Sequence, residues 1–136
     1  MKRSSLPPRA AIACSLAAML AGCAAAAATT PAASPGQVAA VVMMTDAFRF
    51  EPSAVTIHAG EAVEWRNVSH FPHIITDDRT IGDAAIPAGA DAFTSAEIAP
   101  GARYRRVLSV PGTYRYFCIP HEGIGMIGMI TVLPEK

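Results

Sequence analysis

The chain has 136 residues, 51% of them hydrophobic, and eleven basic residues balance eleven acidic ones. It contains no long basic run, which excludes the electrostatic footprint of a nucleic-acid-binding protein. Three cysteines and four histidines leave thiol chemistry and metal ligation open.

Lys2, Arg3 and Arg9 precede an uncharged apolar run from Ala10 to Ala21. A basic start, a short apolar stretch and small residues after it describe an export signal rather than a folded element. The run is too short and too rich in alanine for a convincing membrane span, the alternative being an uncleaved N-terminal anchor. Leu20-Ala21-Gly22-Cys23 closes it and resembles the lipobox of bacterial lipoproteins. The resemblance implies that Cys23 becomes the first mature residue, lipidated on its sulfur and acylated at its new amino terminus. More than one acyl chain suffices for stable membrane attachment. Residues 1–22 are therefore read as a signal peptide, with the mature chain held at the periplasmic face of a bacterial membrane. Its loss leaves eight basic against eleven acidic residues, a net charge of −3.

Residues 23–37 comprise the lipidated cysteine and a linker, AAAAATTPAASPGQ, with no aromatic or large aliphatic side chain. Such a segment buries too little to order itself and reads as a tether, reaching up to roughly 45 Å when extended. Residues 38–136 suit one domain, with a core feasible without disulfides. Phe48 and Phe50 alternate with Arg49 and Glu51; Val55 and Ile57 with Thr56 and His58, before a turn at Ala59-Gly60; Val63 and Trp65 with Glu64 and Arg66. Residues 80–101 read as loop with at most one short helix. Pro111-Gly112 separates the run 104–110, where Arg106 breaks the pattern by sharing a face with Tyr104 and Leu108, from 113–118; residues 127–133 close the chain. Short β-rich segments between turn signals predict an all-β sandwich or barrel.

Cys14 falls within the signal and Cys23 at its end, so Cys118 is alone in the domain. A lone thiol in an exported domain has no disulfide partner, and metal ligation gives it a purpose. Tyr114, Tyr116 and Cys118 share one face of their strand, which turns the sulfur inward. Cys118-x2-His121-x4-Met126 places a thiolate, an imidazole and a thioether on one loop. That soft donor set selects copper over magnesium or calcium. Phe71-Pro72-His73 supplies a second imidazole forty-five residues upstream; His70 competes with His73, whose approach Pro72 fixes. Two imidazoles and a thiolate with a distant axial methionine form an electron-transfer arrangement.

With these residues the chain resembles the cupredoxins, and most closely the plastocyanin family. The match includes FRFEPSAVTIHAGEAVEWRN, the FPH around His73, IPAGAD at 86–91, APG at 99–101 and GTYRYFCIPHEGIGMIGMITV. The resemblance favours His73 over His70. It implies a Greek-key β-sandwich of eight strands with copper at one end, cycling between Cu(I) and Cu(II). It also implies that the ring edge of His121 reaches the surface and passes the electron, and that the Ile74 N–H donates to the Cys118 sulfur. Ile74 stands where the family usually has a polar side chain, and Phe117 where plant members carry an exposed tyrosine. Asp77 and Asp78, followed by Arg79, read as a solvated turn rather than an acidic docking patch. Pro120, Ile124 and Phe71 are candidates for a flat apolar docking surface.

The function expected is a monomeric one-electron carrier outside the cytoplasm, working between redox proteins such as a cytochrome or a copper or haem reductase. No nucleophile–base set or carboxylate pair supports an enzyme. A copper storage or delivery lipoprotein is the alternative, motivated by Met43, Met44 and Met129, which otherwise read as packing residues.

Overall fold

The structure is a computed structural model that describes residues 34–136, which all belong to one compact unit. The signal peptide 1–22, the lipidation candidate Cys23 and linker residues 24–33 lie outside the described residues. Among the described residues no helix is long and apolar enough to cross a membrane.

Val38–Met44, apolar at every position, forms β1. It pairs antiparallel with β2 (Phe50–Glu51) and parallel with β4 (Ala62–Asn67), so it runs inside a sheet rather than at its edge. Between these lies β3 (Ala54–His58), after which Ala59-Gly60 turns the chain, with Gly60 at φ +86. Beyond the two-residue strand β5 (Ile75–Thr76) there is no helix before β6 (Arg103–Val107); Ala85, Thr94 and Ile98 make only isolated bridges in that stretch. Gly112–Cys118 forms β7, Ile119–Ile124 a 3₁₀ helix and Ile127–Leu133 the last strand, β8. Two four-stranded sheets result, ordered β2-β1-β4-β6 and β3-β8-β7-β5.

Alternation decides what each strand buries. Val42 and Met44 of β1, Val63 and Trp65 of β4, Tyr114 and Tyr116 of β7, and Ile130 and Val132 of β8 meet in one hydrophobic core between the sheets. Trp65 touches Tyr116 edge-on at 5.4 Å between ring centroids, and Phe93 at 5.7 Å. Arg106 shares the inner side of β6 with Tyr104 because its guanidinium lies 5.8 Å from the Phe93 ring centroid, a cation–π contact. Glu64 turns away from the core yet is covered: Arg66 Nε donates to its Oε1 at 2.7 Å. That bond, with Arg66, Arg103 and Arg105 nearby, holds its carboxyl below the usual range.

Four sequence expectations change. Residues 38–44 form a strand, β1, that no alternation marks in the sequence. Phe48 is not part of a strand: it sits at φ +54 in the turn before Phe50. Met44 is core, but Met129 is 43% exposed on the outer side of β8. Asp77 is fully buried rather than solvated, its Oδ1 accepting the Phe93 N–H at 2.6 Å while Oδ2 finds no partner among the described residues. Burial pushes its carboxyl up to about 6, against the Phe93 N–H and the Arg106 charge. Asp78 does cap a turn, accepting the N–H and hydroxyl of Thr80 at 2.8 and 2.7 Å.

Candidate metal centre

The alternation that sends Tyr114 and Tyr116 into the core carries Cys118 inward at the end of β7, where it pairs with Ile75 of β5 and is fully buried. Pro120 stops the ladder, having no N–H to give, and its fixed φ suits the first turn of the 3₁₀ helix. Gly125 reverses the chain at φ +85, a conformation that glycine adopts without strain. The return is fastened by two backbone bonds: Met126 N–H donates to His121 O at 3.2 Å, and Cys118 N–H to Met126 O at 3.0 Å. Arg49 Nη1 adds a third tie from a distant turn, donating to Gly125 O at 3.1 Å. This loop buries Met126 completely between the flanking strands.

His73 arrives from the other side. It exchanges backbone bonds with Ile98 in both directions, at 3.2 and 2.7 Å, and is fully buried. Ile119 N–H donates to Ile74 O at 2.8 Å and joins this segment to the ligand loop. The outcome is convergence. Cys118 Sγ lies 3.5 Å from His73 Nδ1 and 3.4 Å from His121 Nδ1, and the three donor atoms all lie within 4.8 Å of one another. His73 Nε2 points the opposite way, 2.8 Å from Ser69 Oγ. His70, the competing histidine, is not part of the cluster. Its side chain is 88% exposed and faces Asp46 at 2.9 Å.

Burial shapes the protonation of the cluster. It lowers the pKa of His73, with His121 adding to the effect and Asp46 opposing it. Burial lowers His121 as well, so both rings favour the neutral form that has a lone pair to offer. It raises the Cys118 thiol, against the backbone N–H groups of Ile74 and His121, which favour the thiolate. Pro120, having no N–H, cannot supply another such donor. A thiolate, two imidazoles and a buried thioether fit copper, and do not fit the oxygen-seeking magnesium or calcium.

Around His121 the surface is apolar. Phe71, Ile119 and Ile124 are exposed, and Pro120 with them. Phe48, whose alternation with Arg49 suggests a strand, instead stacks its ring 4.4 Å from that of His121 and 4.9 Å from that of Phe71. No local pattern marks that role, because the contact depends on a left-handed residue far from His121 in the chain. On the flank, Phe117 is buried rather than surface-accessible, with Gly82 close against its ring. Glu122 Oε1 accepts the Asp83 N–H at 2.6 Å and ties the same flank to the ligand loop.

The model of copper-binding proteins of the plastocyanin/azurin family matches residues 37–133. Over 131 residues the chain is 37% identical to the plastocyanin of Prochlorothrix hollandica, spanning 95% of this chain and 96% of that protein. It is 47% identical over 87 residues to the plastocyanin of Scenedesmus fuscus, covering 61% and 85% of the two chains. Among solved structures, a mutant plastocyanin of fern superposes with a TM-score of 0.55 at 29% identity, over 68% of this chain and 99% of that one.

Proposed function

The chain belongs to the plastocyanin/azurin family of copper-binding proteins, and from that premise we propose that it is a one-electron carrier of the exported compartment. His73, Cys118, His121 and Met126 would hold one copper. When bound, copper supplies a one-electron couple between Cu(I) and Cu(II). The single observation that carries the reading is the convergence of His73 Nδ1, Cys118 Sγ and His121 Nδ1 at one end of the sandwich.

The protein's own part is to keep those donors still. Each arrives on a different constraint: Cys118 on a paired strand, His121 on a helical turn closed by the Met126 N–H, His73 on a bridge to Ile98. Donors fixed in this way need little rearrangement between the two oxidation states, which lowers the barrier to transfer. Core side chains exclude water from His73, Cys118 and Met126, while His121 alone is partly open to solvent. Its ring edge is therefore the exit for the electron. The exposed Phe71, Pro120 and Ile124 beside it suit a small apolar contact with few ion pairs, which releases quickly after transfer. We assign the partners to redox proteins such as a cytochrome or a copper or haem reductase. We place the protein at the periplasmic face of a bacterial membrane, as a monomer tethered through a lipid on Cys23.

The test is spectroscopic. Copper(II)-loaded protein should be intensely coloured from sulfur-to-copper charge transfer, and Cys118→Ser should abolish the colour. A colourless copper(II) form of the intact chain would refute the assignment. The copper-delivery alternative gains nothing from the methionines, because Met44 is buried and Met43 and Met129 belong to different sheets. Stopped-flow transfer to a small cytochrome, run beside metal-transfer assays, separates the two functions.

A further inference from the structure

A buried polar relay stands behind one ligand. Asn67, at the end of β4, Ser69 and His73 are all almost fully inaccessible to solvent. The Asn67 amide nitrogen donates to Phe71 O at 2.7 Å and to Ile98 O at 2.9 Å. Both acceptors are carbonyls, so the amide has only one workable orientation, with Oδ1 turned to Ser69. That oxygen accepts the Ser69 N–H at 3.0 Å and stands 2.7 Å from Ser69 Oγ.

A serine hydroxyl has one proton and two lone pairs. Three acceptors are within its reach: Asn67 Oδ1 at 2.7 Å, Phe71 O at 3.0 Å and His73 Nε2 at 2.8 Å. A neutral imidazole that offers its Nδ1 lone pair to a metal carries its proton on Nε2 and cannot accept there, and of the two remaining oxygens Asn67 Oδ1 is the nearer, so the hydroxyl proton goes to Asn67. The Ser69 oxygen is then left as an acceptor. It takes the Phe71 N–H at 3.1 Å and, on its other side, His73 Nε2.

We infer that Ser69, oriented by Asn67, is a positioning residue for the metal site: it accepts the His73 Nε2–H, fixes that tautomer and aims the Nδ1 lone pair at the space beside the Cys118 sulfur. The inference deepens the copper reading and rests on it. A hydrogen-bonded partner on the far nitrogen raises the basicity of the ligating one. The more basic ligand stabilises copper(II) more than copper(I), so the relay holds the potential down.

The test uses the full chain with 15N-labelled histidine, together with Ser69→Ala and Ser69→Thr. Nitrogen NMR of the metal-free and the diamagnetic copper(I) protein should show the His73 proton on Nε2, as a ring N–H protected from exchange. Ser69→Ala should lose that protection and bind copper(II) about 10- to 100-fold more weakly. A tenfold loss confined to copper(II) reads as a rise in potential of about 59 mV. Ser69→Thr, which keeps the hydroxyl, should restore affinity and potential together. A packing role alone would lower thermal stability and leave the potential in place. A proton on Nδ1 of His73 in the metal-free wild type overturns the inference, as does a Ser69→Ala protein with unchanged copper(II) affinity and potential. Should Ser69→Ala fail to fold, the wild-type tautomer still decides between the two outcomes. A colourless copper(II) protein would instead sink the electron-carrier reading and leave the tautomer result standing.

Discussion

Asp77 should make this protein lose stability as the pH rises through the mildly acidic range, and Asp77→Asn should remove that loss. The carboxyl is fully buried, one oxygen accepts the Phe93 N–H, and its pKa is pushed up from the ordinary 3.8 to about 6. Below about pH 4 it is protonated in folded and unfolded chains alike. Between about pH 4 and 6 the unfolded chain has released its proton while the fold still holds one, so stability falls as the pH climbs. Above about pH 6 both states are ionised and the loss levels off. A shift of that size corresponds to about 3 kcal/mol, at about 1.36 kcal/mol for each pKa unit. Asparagine keeps an acceptor for the Phe93 N–H and never ionises. The assay is urea unfolding of metal-free wild type and variant from pH 4 to 8, under reductant. The quantity read is the difference between the two curves, in which the other titrating groups cancel. It should rise in favour of the variant by about 2.5 kcal/mol across that window, the rest of the effect having appeared below pH 4. A difference that stays flat with pH would refute the argument, because Asp77 would then titrate alike in both states.

Three further outcomes follow from the packing. A methyl group on Gly128 would collide with the Tyr116 ring, which is fully buried; Gly128→Ala should cost about 3 kcal/mol in urea unfolding, at the upper end for an overpacked core. Phe48→Leu removes ring contacts to His121 and Phe71 and should lower unfolding stability by about 1 kcal/mol while leaving the visible spectrum in place. His70→Ala should leave copper stoichiometry and colour unchanged, because that ring lies outside the donor cluster and faces Asp46; loss of copper in a titration of this variant would move the ligand to residue 70.

The local part of the site was legible because its chemistry sits on one short, continuous loop. Cys118, His121 and Met126 declare a soft donor set by type and spacing, and alternation with Tyr114 and Tyr116 aims the sulfur inward. His73 was legible less directly, through Pro72 and the family motif; the exposed pairing of His70 with Asp46 decides the matter only in three dimensions. The strand β1 was invisible because VAAVVMM is apolar throughout and has no two-residue period to detect. Asp77 reads as a turn beside Asp78 and Arg79, and only the Phe93 N–H and Arg106, contributed by distant segments, show why it is inside. Arg106 looked like a flaw in the pattern of its strand and is instead paired with the Phe93 ring. Ser69 carried no mark at all, since a serine in a loop acquires meaning only from the amide that orients it.

The most direct test of the copper site is X-ray absorption at the copper edge of the loaded protein. One sulfur at short range with two imidazole nitrogens is the coordination shell that His73, Cys118 and His121 dictate. A shell built of nitrogen and oxygen alone, with no sulfur, would contradict it.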